Sequence, residues 1–517
     1  MVGLVLAMLA FGVSLAGVPQ TQPPTPFRTG VVLVPVDVRV VDAAGNPVTD
    51  LTAGDFTVFE NGVRQEIAHF STQSYLSPTS PTPTASAPPR TFFLLLGRGR
   101  LNEPTKALDA AITFVQSHLR PDDRVGLLAY LHLVEPTADH GAVVRLLERY
   151  LARHDAIEDK LTRDARRGPG APSWPTRPDT QAAIAGLFDA PGLPPVHQFP
   201  GAAGGSTTPT EDGPALINAL EYLRHVDGEK HLVAVLEKAL PVGKEGETFY
   251  GPRATSARVS VFVIQAGGLE GARPIRSVFS TPDLPTAVLW ARANRTLAEV
   301  TGGQASFYQN ADASFARLAR VTSFQYLLGY YPIKPPRDGE HRTLRVVVAR
   351  SGVTALYRHA YEARPPVEEP LDLQRMFVRS QILRLASMPQ TTLPGALPHA
   401  NIPMKVSPVV TRGPDDVMHV TVTLAVDPAY VTVTRAGDRY LISLDVAAFV
   451  RNAARTILAE RWEHLDLKLD ATAYARLKGE RIRHALSLAV TGRPSQLVVV
   501  VYEYESNRGR WATARLR

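Results

Sequence analysis

The stretch LLLGRGRLN (94–102) closes an apolar run with Gly97, Arg98, Gly99 and Arg100, and it is where side-chain type and spacing first suggest binding chemistry. Each guanidinium can grip a carboxylate through paired N–H donors without help from a metal. The same four residues also suit a flexible, solvated loop, because glycine adds conformational freedom and no functional group. Other combinations carry less. Asp122 and Asp123 are adjacent carboxylates, but side chains next to each other before a strand diverge, and a helix-to-strand turn accounts for them. His154, His225, His231 and His464 form no HExxH and no i, i+4 pair, so no zinc site is expected. The chain has no Gly-x-Ser-x-Gly elbow and no phosphate-cradling glycine loop ending in Lys-Ser or Lys-Thr. Glu460, Trp462, Glu463 and His464 read as an exposed rim. Tyr326, Tyr330 and Tyr331 in SFQYLLGYYP read as a packed strand entering a proline turn. No enzyme is expected from these residues.

The elements that would position Arg98 and Arg100 are readable from periodicity. TFFLLL (91–96) is a buried strand, and the helix after it carries Leu108, Ile112, Val115 and Leu119 on one stripe. RVGLLAYL (124–131), HLVAVL (231–236) and VSVFVI (259–264) are further apolar strands. Helical spacing covers 142–151, the region of Leu216, Leu220 and Leu223, and then 285–300 and 312–320. Strands near 322–331 and 343–349 follow. Strand and helix alternating in this way predict an α/β fold, a doubly wound, mostly parallel sheet. Its upper edge, where such folds bind ligands, would carry LLLGRGRLN.

At 517 residues the chain exceeds what one core supports and predicts two to four domains. Residues 1–16 are uniformly apolar or small and end in Ser14-Leu15-Ala16, the form of a secretory signal. A tether (17–29) leads to a small β module (30–75), in which FTVFENGVRQEIAHF predicts a hairpin turning at Asn61-Gly62. A Ser/Thr/Pro linker (76–90) precedes the α/β domain (91–362), and the Pro/Gly/charge-rich region 152–212 reads as a mobile surface insertion. A second linker (363–370) leads to a β-sandwich-like domain (371–517) of short strands separated by turn residues. With no cysteine, disulfides and thiolate sites are excluded. A net charge of +7 spread along the chain gives no block for nucleic acid. No membrane span is expected after signal removal.

Four blocks resemble one family. They are VPVDVRVVDAAGNPVTDLTAGDFTVFENGVRQEIAHF, RPDDRVGLLAY, LAEVTGGQASF and SFQYLLGYYPIKPPRDGEHRTLRVVV. In this order, from about residue 30 to 362, they are similar to the exported von Willebrand factor A-related proteins of acidobacteria. The resemblance implies a divalent-cation site at the carboxyl edge of the sheet, built from an Asp-x-Ser-x-Ser loop, a Thr and a later Asp. A hard cation such as Mg²⁺ needs such oxygen ligands. Here Gly97, Gly99 and Leu101 fall on the loop positions, Pro214 on the Thr and Glu237 on the later Asp. Only Glu237 keeps an oxygen, so the resemblance implies the fold with a degenerate metal site and no cofactor. The sequence therefore reads as an exported, periplasmic or secreted, non-enzymatic binding or scaffold protein. Its partner would be an envelope or extracellular protein, engaged through an acidic group by Arg98, Arg100 and Glu237. The alternative is Mg²⁺-dependent adhesion through Glu237, backbone carbonyls and the insertion.

Overall fold

The computed structural model describes residues 33–75, 87–97, 107–165, 178–189, 191–198, 212–237, 239–240, 249–265, 284–307, 310–334, 340–363, 373–387, 402–413, 417–503 and 508–516. The chain opens with β1 (Val34–Val41), β2 (Phe56–Glu60), β3 (Val63–Gln65) and β4 (Ile67–Ser74). The β2–β3 hairpin turns at Asn61 and Gly62, both at positive φ (47° and 82°), as a two-residue type I′ turn requires. The central region then runs β5 (Arg90–Leu96), α1 (Ala107–Ser117), β6 (Arg124–Ala129), β7 (His132–Thr137), α2 (His140–Ala165), α3 (Pro178–Phe188) and β8 (Val196–Gln198). It continues through α4 (Asp212–Leu223), β9 (Glu229–Leu236), α5 (Gly251–Ser256), β10 (Val259–Gln265), α6 (Leu284–Val300), β11 (Ala305–Phe307) and α7 (Ala311–Val321). Beyond it come β12 (Phe324–Tyr330), β13 (Glu340–Val348), β14 (Thr354–Tyr357), β15 (Ala360–Ala363) and α8 (Leu373–Ser387). The last part holds β16 (Met404–Arg412), β17 (Val417–Val426), β18 (Thr434–Ala436), β19 (Arg439–Arg451), β20 (Ile457–Leu469), α9 (Ala471–Leu477), β21 (Ile482–Thr491), β22 (Gln496–Glu503) and β23 (Arg508–Arg515).

The expected doubly wound, mostly parallel, von Willebrand A-like architecture is corrected by this arrangement. Among the described residues the chain is predominantly β, and four of its five sheets are antiparallel throughout. The fifth, ordered β11-β10-β9-β5-β6-β7-β8, is mixed, since β7 and β8 pair antiparallel. The physical reason is partner choice. Strands β12 and β13 do not extend the parallel sheet but return to the N-terminal strands. β1 lies between β12 and β14, β4 pairs β12, and β2 pairs β13. The module of residues 30–75 therefore does not close on itself. Its apolar faces are completed by strands about 290 residues later, around a core of Val36, Val38, Phe56, Val58, Tyr326, Leu328 and Val346.

β5 is buried along its whole length and alternates between two cores. Phe93 and Leu95 face α4 and α8, while Phe92, Leu94 and Leu96 face α1, α2 and α7. Full burial of each such side chain contributes roughly 1.5–3 kcal/mol. The first of these cores continues through α8 into the sheet of β19 and β22, by way of Ile382, Leu383, Phe449 and Val500. Region 152–212 is not a plain surface insertion in its described part: α2 runs on to Ala165, α3 packs on it, and β8 joins the sheet through β7. Residues Leu33–Arg517 form one compact unit. No helix among the described residues is long and apolar enough to cross a membrane.

Candidate functional site

The carboxyl ends of β5, β6, β9 and β10 lie along one edge of the mixed sheet because these strands run parallel. Gly97 sits at that edge, held by its N–H donating to the Val235 carbonyl at 2.9 Å. Glu237, half-buried, follows one residue after β9. The structure thus brings Gly97 and Glu237 to adjacent strand ends. Arg98, Gly99, Arg100 and Leu101 lie outside the described residues, and Pro214 falls in the first turn of α4.

Gly97 is glycine for a packing reason. A Cβ there would stand 2.6 Å from Leu236 Cδ2 and 3.1 Å from Asp212 Oδ2. Leu236 is fully buried, so its side chain has little room to retreat. Asp212 opens α4, where the helix dipole favours a carboxylate. A further edge feature is the reversal after β6, where Tyr130 and Leu131 both take positive φ (47° and 64°). The described side chains beside Gly97 therefore add carboxylate character, from Asp212 and Glu237, at the place where an acidic ligand was expected to bind. The residues also do not fit the Mg²⁺ site the resemblance implies, since Gly97 offers no ligand atom and Leu236 occupies the space a side chain would need. Among the described residues no group of three or more His, Asp or Glu side chains is arranged to hold a metal.

The amino edge of the same sheet is covered by the N-terminal sandwich through a buried polar network. Arg39 of β1 donates to Glu229 of β9 at 2.5 Å, and Tyr75 and Gln325 donate to the other oxygen at 2.6 and 2.8 Å. Burial alone would raise the Glu229 carboxyl, but the Arg39 charge and the donated hydrogen bonds outweigh it and hold it well below the usual carboxylate range. His231 Nε2 lies 2.9 Å from Glu229 without an aligned hydrogen bond, and burial pushes its imidazole down to about 4, so it is neutral at neutral pH. Close by, Arg90 and the fully buried Asp123 pair through two hydrogen bonds of 3.1 and 2.5 Å. Asp123, read from the sequence as a turn residue only, locks the first strand of this sheet.

A second buried network joins the mixed sheet, the N-terminal sandwich and the C-terminal sheets. Glu460 of β20 accepts from Arg253 of α5 and from Trp462 Nε1 at 2.9 Å. Arg379 of α8 stacks over Trp462 at 3.9 Å and stands 2.6 Å from Glu221 of α4. Ser256 donates to Glu362 of β15 at 2.6 Å. Burial and the neighbouring Glu460 push the Glu362 carboxyl up to about 7, while burial pushes His341 down to about 4. Glu460 and Trp462 are thus not rim residues but junction residues. Their signal in the sequence was slight: in ILAERWEHLDLKL a buried glutamate looks the same as an exposed one.

His464 belongs to a polar cluster across β19 and β20. Its Nδ1 is 2.8 Å from Asp445, and its Nε2 is 3.0 Å from Asp466 and 3.2 Å from Ser443 Oγ. Serine, imidazole and carboxylate occur in the order an acyl-transfer nucleophile needs, but Asp466 competes for Nε2 and itself accepts from Ser443 at 3.0 Å. Because the Ser443 hydroxyl donates to Asp466, its proton is directed at a carboxylate and not at the imidazole. The set acts as a cross-strand ladder between β19 and β20, formed because residues 443 and 445 face 466 and 464 in register.

No family model matches the chain, and no curated protein matches it. Among solved structures, a β-glucosidase from Kluyveromyces marxianus is similar at 9% identity and a TM-score of 0.12, over 59% of this chain and 33% of that one. DesR, a β-glucosidase from Streptomyces venezuelae solved in complex with D-glucose, is similar at 12% identity and a TM-score of 0.12, over 60% of this chain and 36% of its own. The chain spans about a third of the length of each.

Proposed function

We propose that the protein is an exported, non-enzymatic scaffold that binds another envelope or extracellular protein. The observation that carries this reading is where its charged groups are spent. Arg39–Glu229, Arg90–Asp123 and Arg253–Glu460 are buried; the first pairs side chains of different sheets, and the last joins helix α5 to strand β20. Charge used this way fixes modules relative to one another and specifies one arrangement, which suits presentation of a surface. The apolar leader at 1–16 supports export, and the carboxyl edge around Gly97 supports the place of binding. There Arg98 and Arg100 would meet an acidic group of the partner in competition with Asp212 and Glu237.

The test is a pull-down from the native envelope with the mature chain and with an Arg98→Ala/Arg100→Ala variant. A protein retained by the first and lost by the second supports the reading; equal retention, or none, removes it. A second reading, cation-dependent adhesion, is favoured by the carboxylates of Asp212 and Glu237 at that same edge. Calorimetry with Mg²⁺, Mn²⁺ and Ca²⁺ separates the two, since only the second predicts binding near one ion per chain.

A further inference from the structure

The amino ends of β9 and β10 carry cations that neither buried ion-pair network uses. Lys230, the second residue of β9, is 6% exposed, and its Nζ donates at 2.8 Å to the Leu223 carbonyl at the end of α4. β10 runs beside β9 with Val259 opposite Lys230, so Arg258, the residue before Val259, stands at the same strand end. Arg358 reaches this place from the turn between β14 and β15. It pairs with Thr301, whose hydroxyl accepts from the Val261 N–H of β10 at 3.0 Å, and its Nη2 donates to Asp37 of β1 at 2.6 Å. Three elements thus bring three cations to one seam between the mixed sheet and the N-terminal sandwich.

The counter-charge falls short. Asp37 is already engaged by Arg358, and Asp227, exposed in the turn before β9, forms no ion pair with Lys230. The Arg258 side chain is exposed and makes no hydrogen bond or ion pair with any described residue. Its backbone takes a left-handed φ of 56°, which glycine or asparagine adopts more readily, and no contact within the described chain accounts for an arginine there. Arg358 keeps N–H donors beyond the one given to Asp37, and the Lys230 ammonium keeps donors beyond the one given to Leu223. Burial and the charges of Arg258 and Arg358 push the Lys230 amine down to about 7, as happens where cations crowd without enough negative charge. Half-buried Arg224 adds to the positive field at Lys230, although it also faces Glu221, Glu460 and Glu362 of the second network.

We propose that this seam binds a phosphate-class dianion, its oxygens taken by Lys230, Arg258 and Arg358. Charge and shape both select it. A tetrahedral dianion presents oxygens to donors that arrive from three separate elements, whereas a carboxylate offers two in one plane and neutralises a single charge. A metal cation is repelled. The seam lies at the opposite edge of the sheet from Gly97, so it stands whether or not that edge binds a partner.

The test is calorimetric titration of the full chain, at constant ionic strength, with inorganic phosphate, O-phosphoserine and acetate. One phosphate per chain is expected, with acetate weaker by about tenfold or more, since each hydrogen bond to a charged group contributes about that much. O-Phosphoserine separates the two sources of such a group: affinity equal to that of phosphate means that a phosphomonoester on a larger molecule fits, and binding of phosphate alone means that the seam takes the free ion. Arg258→Asn removes an exposed side chain, suits the left-handed backbone and is expected to weaken phosphate by about tenfold or more with the melting temperature unchanged. Arg439→Asn, at an exposed position on β19, controls for the net positive charge of the chain and is expected to bind as wild type. Lys230→Gln keeps a donor for the Leu223 carbonyl and is expected to weaken phosphate as well; if it melts early, Arg258→Asn still decides. No phosphate binding, equal affinity for acetate, or binding in Arg258→Asn no weaker than in Arg439→Asn would overturn the proposal.

Discussion

Replacing Glu229 by glutamine tests whether buried charge holds the modules together. The substitution keeps the shape and removes the charge that Arg39, Tyr75 and Gln325 address at 2.5, 2.6 and 2.8 Å. Arg39 would then face at best a neutral amide oxygen, with longer contacts to Ser260 Oγ at 3.3 Å and to the Gly302 carbonyl and Gln325 Oε1 at 3.4 Å. Its side chain is 4% exposed, so water cannot compensate. Removing one partner of such a pair destabilises by about 3–5 kcal/mol. The compact unit Leu33–Arg517 spans 517 − 32 = 485 residues. At about 2.1 cal/mol/K of unfolding entropy per residue, its total is roughly 1 kcal/mol/K. Scanning calorimetry should therefore show a melting temperature lower by about 3–5 °C if the unit unfolds as one, and by more if the N-terminal sandwich separates first. Arg39→Met added to Glu229→Gln removes the stranded charge and should recover part of the loss. Acid adds a second readout. The Glu229 carboxyl is held below its unfolded value, so its stabilisation is present above that value, near 4.3, and disappears as pH falls through the folded one. The glutamine variant should lack that decline. A single variant within about 1 kcal/mol of wild type, or a double variant no better than the single, would refute the argument.

Three further outcomes are expected. Gly97→Asp, which restores a carboxylate where the family resemblance implies one, drives a Cβ to 2.6 Å from buried Leu236 and should destabilise by about 1–3 kcal/mol without producing Mg²⁺ binding by calorimetry. A Mg²⁺ heat near one per chain would show that Leu236 yields. Glu362, raised to about 7, favours folding in its protonated form, so its contribution is full below the unfolded value and is lost as pH rises through 7. Melting temperature measured from pH 5 to 8.5 should accordingly fall less in Glu362→Gln than in wild type; parallel curves would exclude the effect. Arg253→Met strands the Glu460 carboxylate, and the loosened junction should shift Trp462 emission to longer wavelength before global unfolding; an unchanged spectrum through the transition would mean that this ion pair does not hold the junction.

The sequence disclosed what local periodicity controls. Strand β5, helix α1 with Leu108 and Val115 buried, and the Asn61-Gly62 turn are all where side-chain spacing puts them. Pairing partners were hidden because an apolar alternation such as VPVDVRVV states that a face is buried and not what buries it. β1 took β12 and β14 instead of its sequence neighbours, and that choice separates the observed antiparallel sandwiches from a single wound sheet. The candidate site shows the same division. Chain order was enough to place Gly97 and Glu237 on one edge, whereas Asp212 reaches that edge only through the way α4 packs.

Arg39 and Glu460 show what sequence can and cannot signal about buried charge. Arg39 stands between Val38 and Val40, which are 0% and 2% exposed, and is itself 3% exposed, so that part of β1 is covered on both faces. An arginine set between buried valines is thus a legible request for a buried counter-charge. Glu460 gives no such signal, because charged and aromatic residues crowd β20 and most of them are exposed or half-buried. Its burial is imposed from outside, by Arg253 about 200 residues earlier and by the helix that brings Arg379 over Trp462. Charge at a junction is decided by the second surface, and a strand read alone contains only the first.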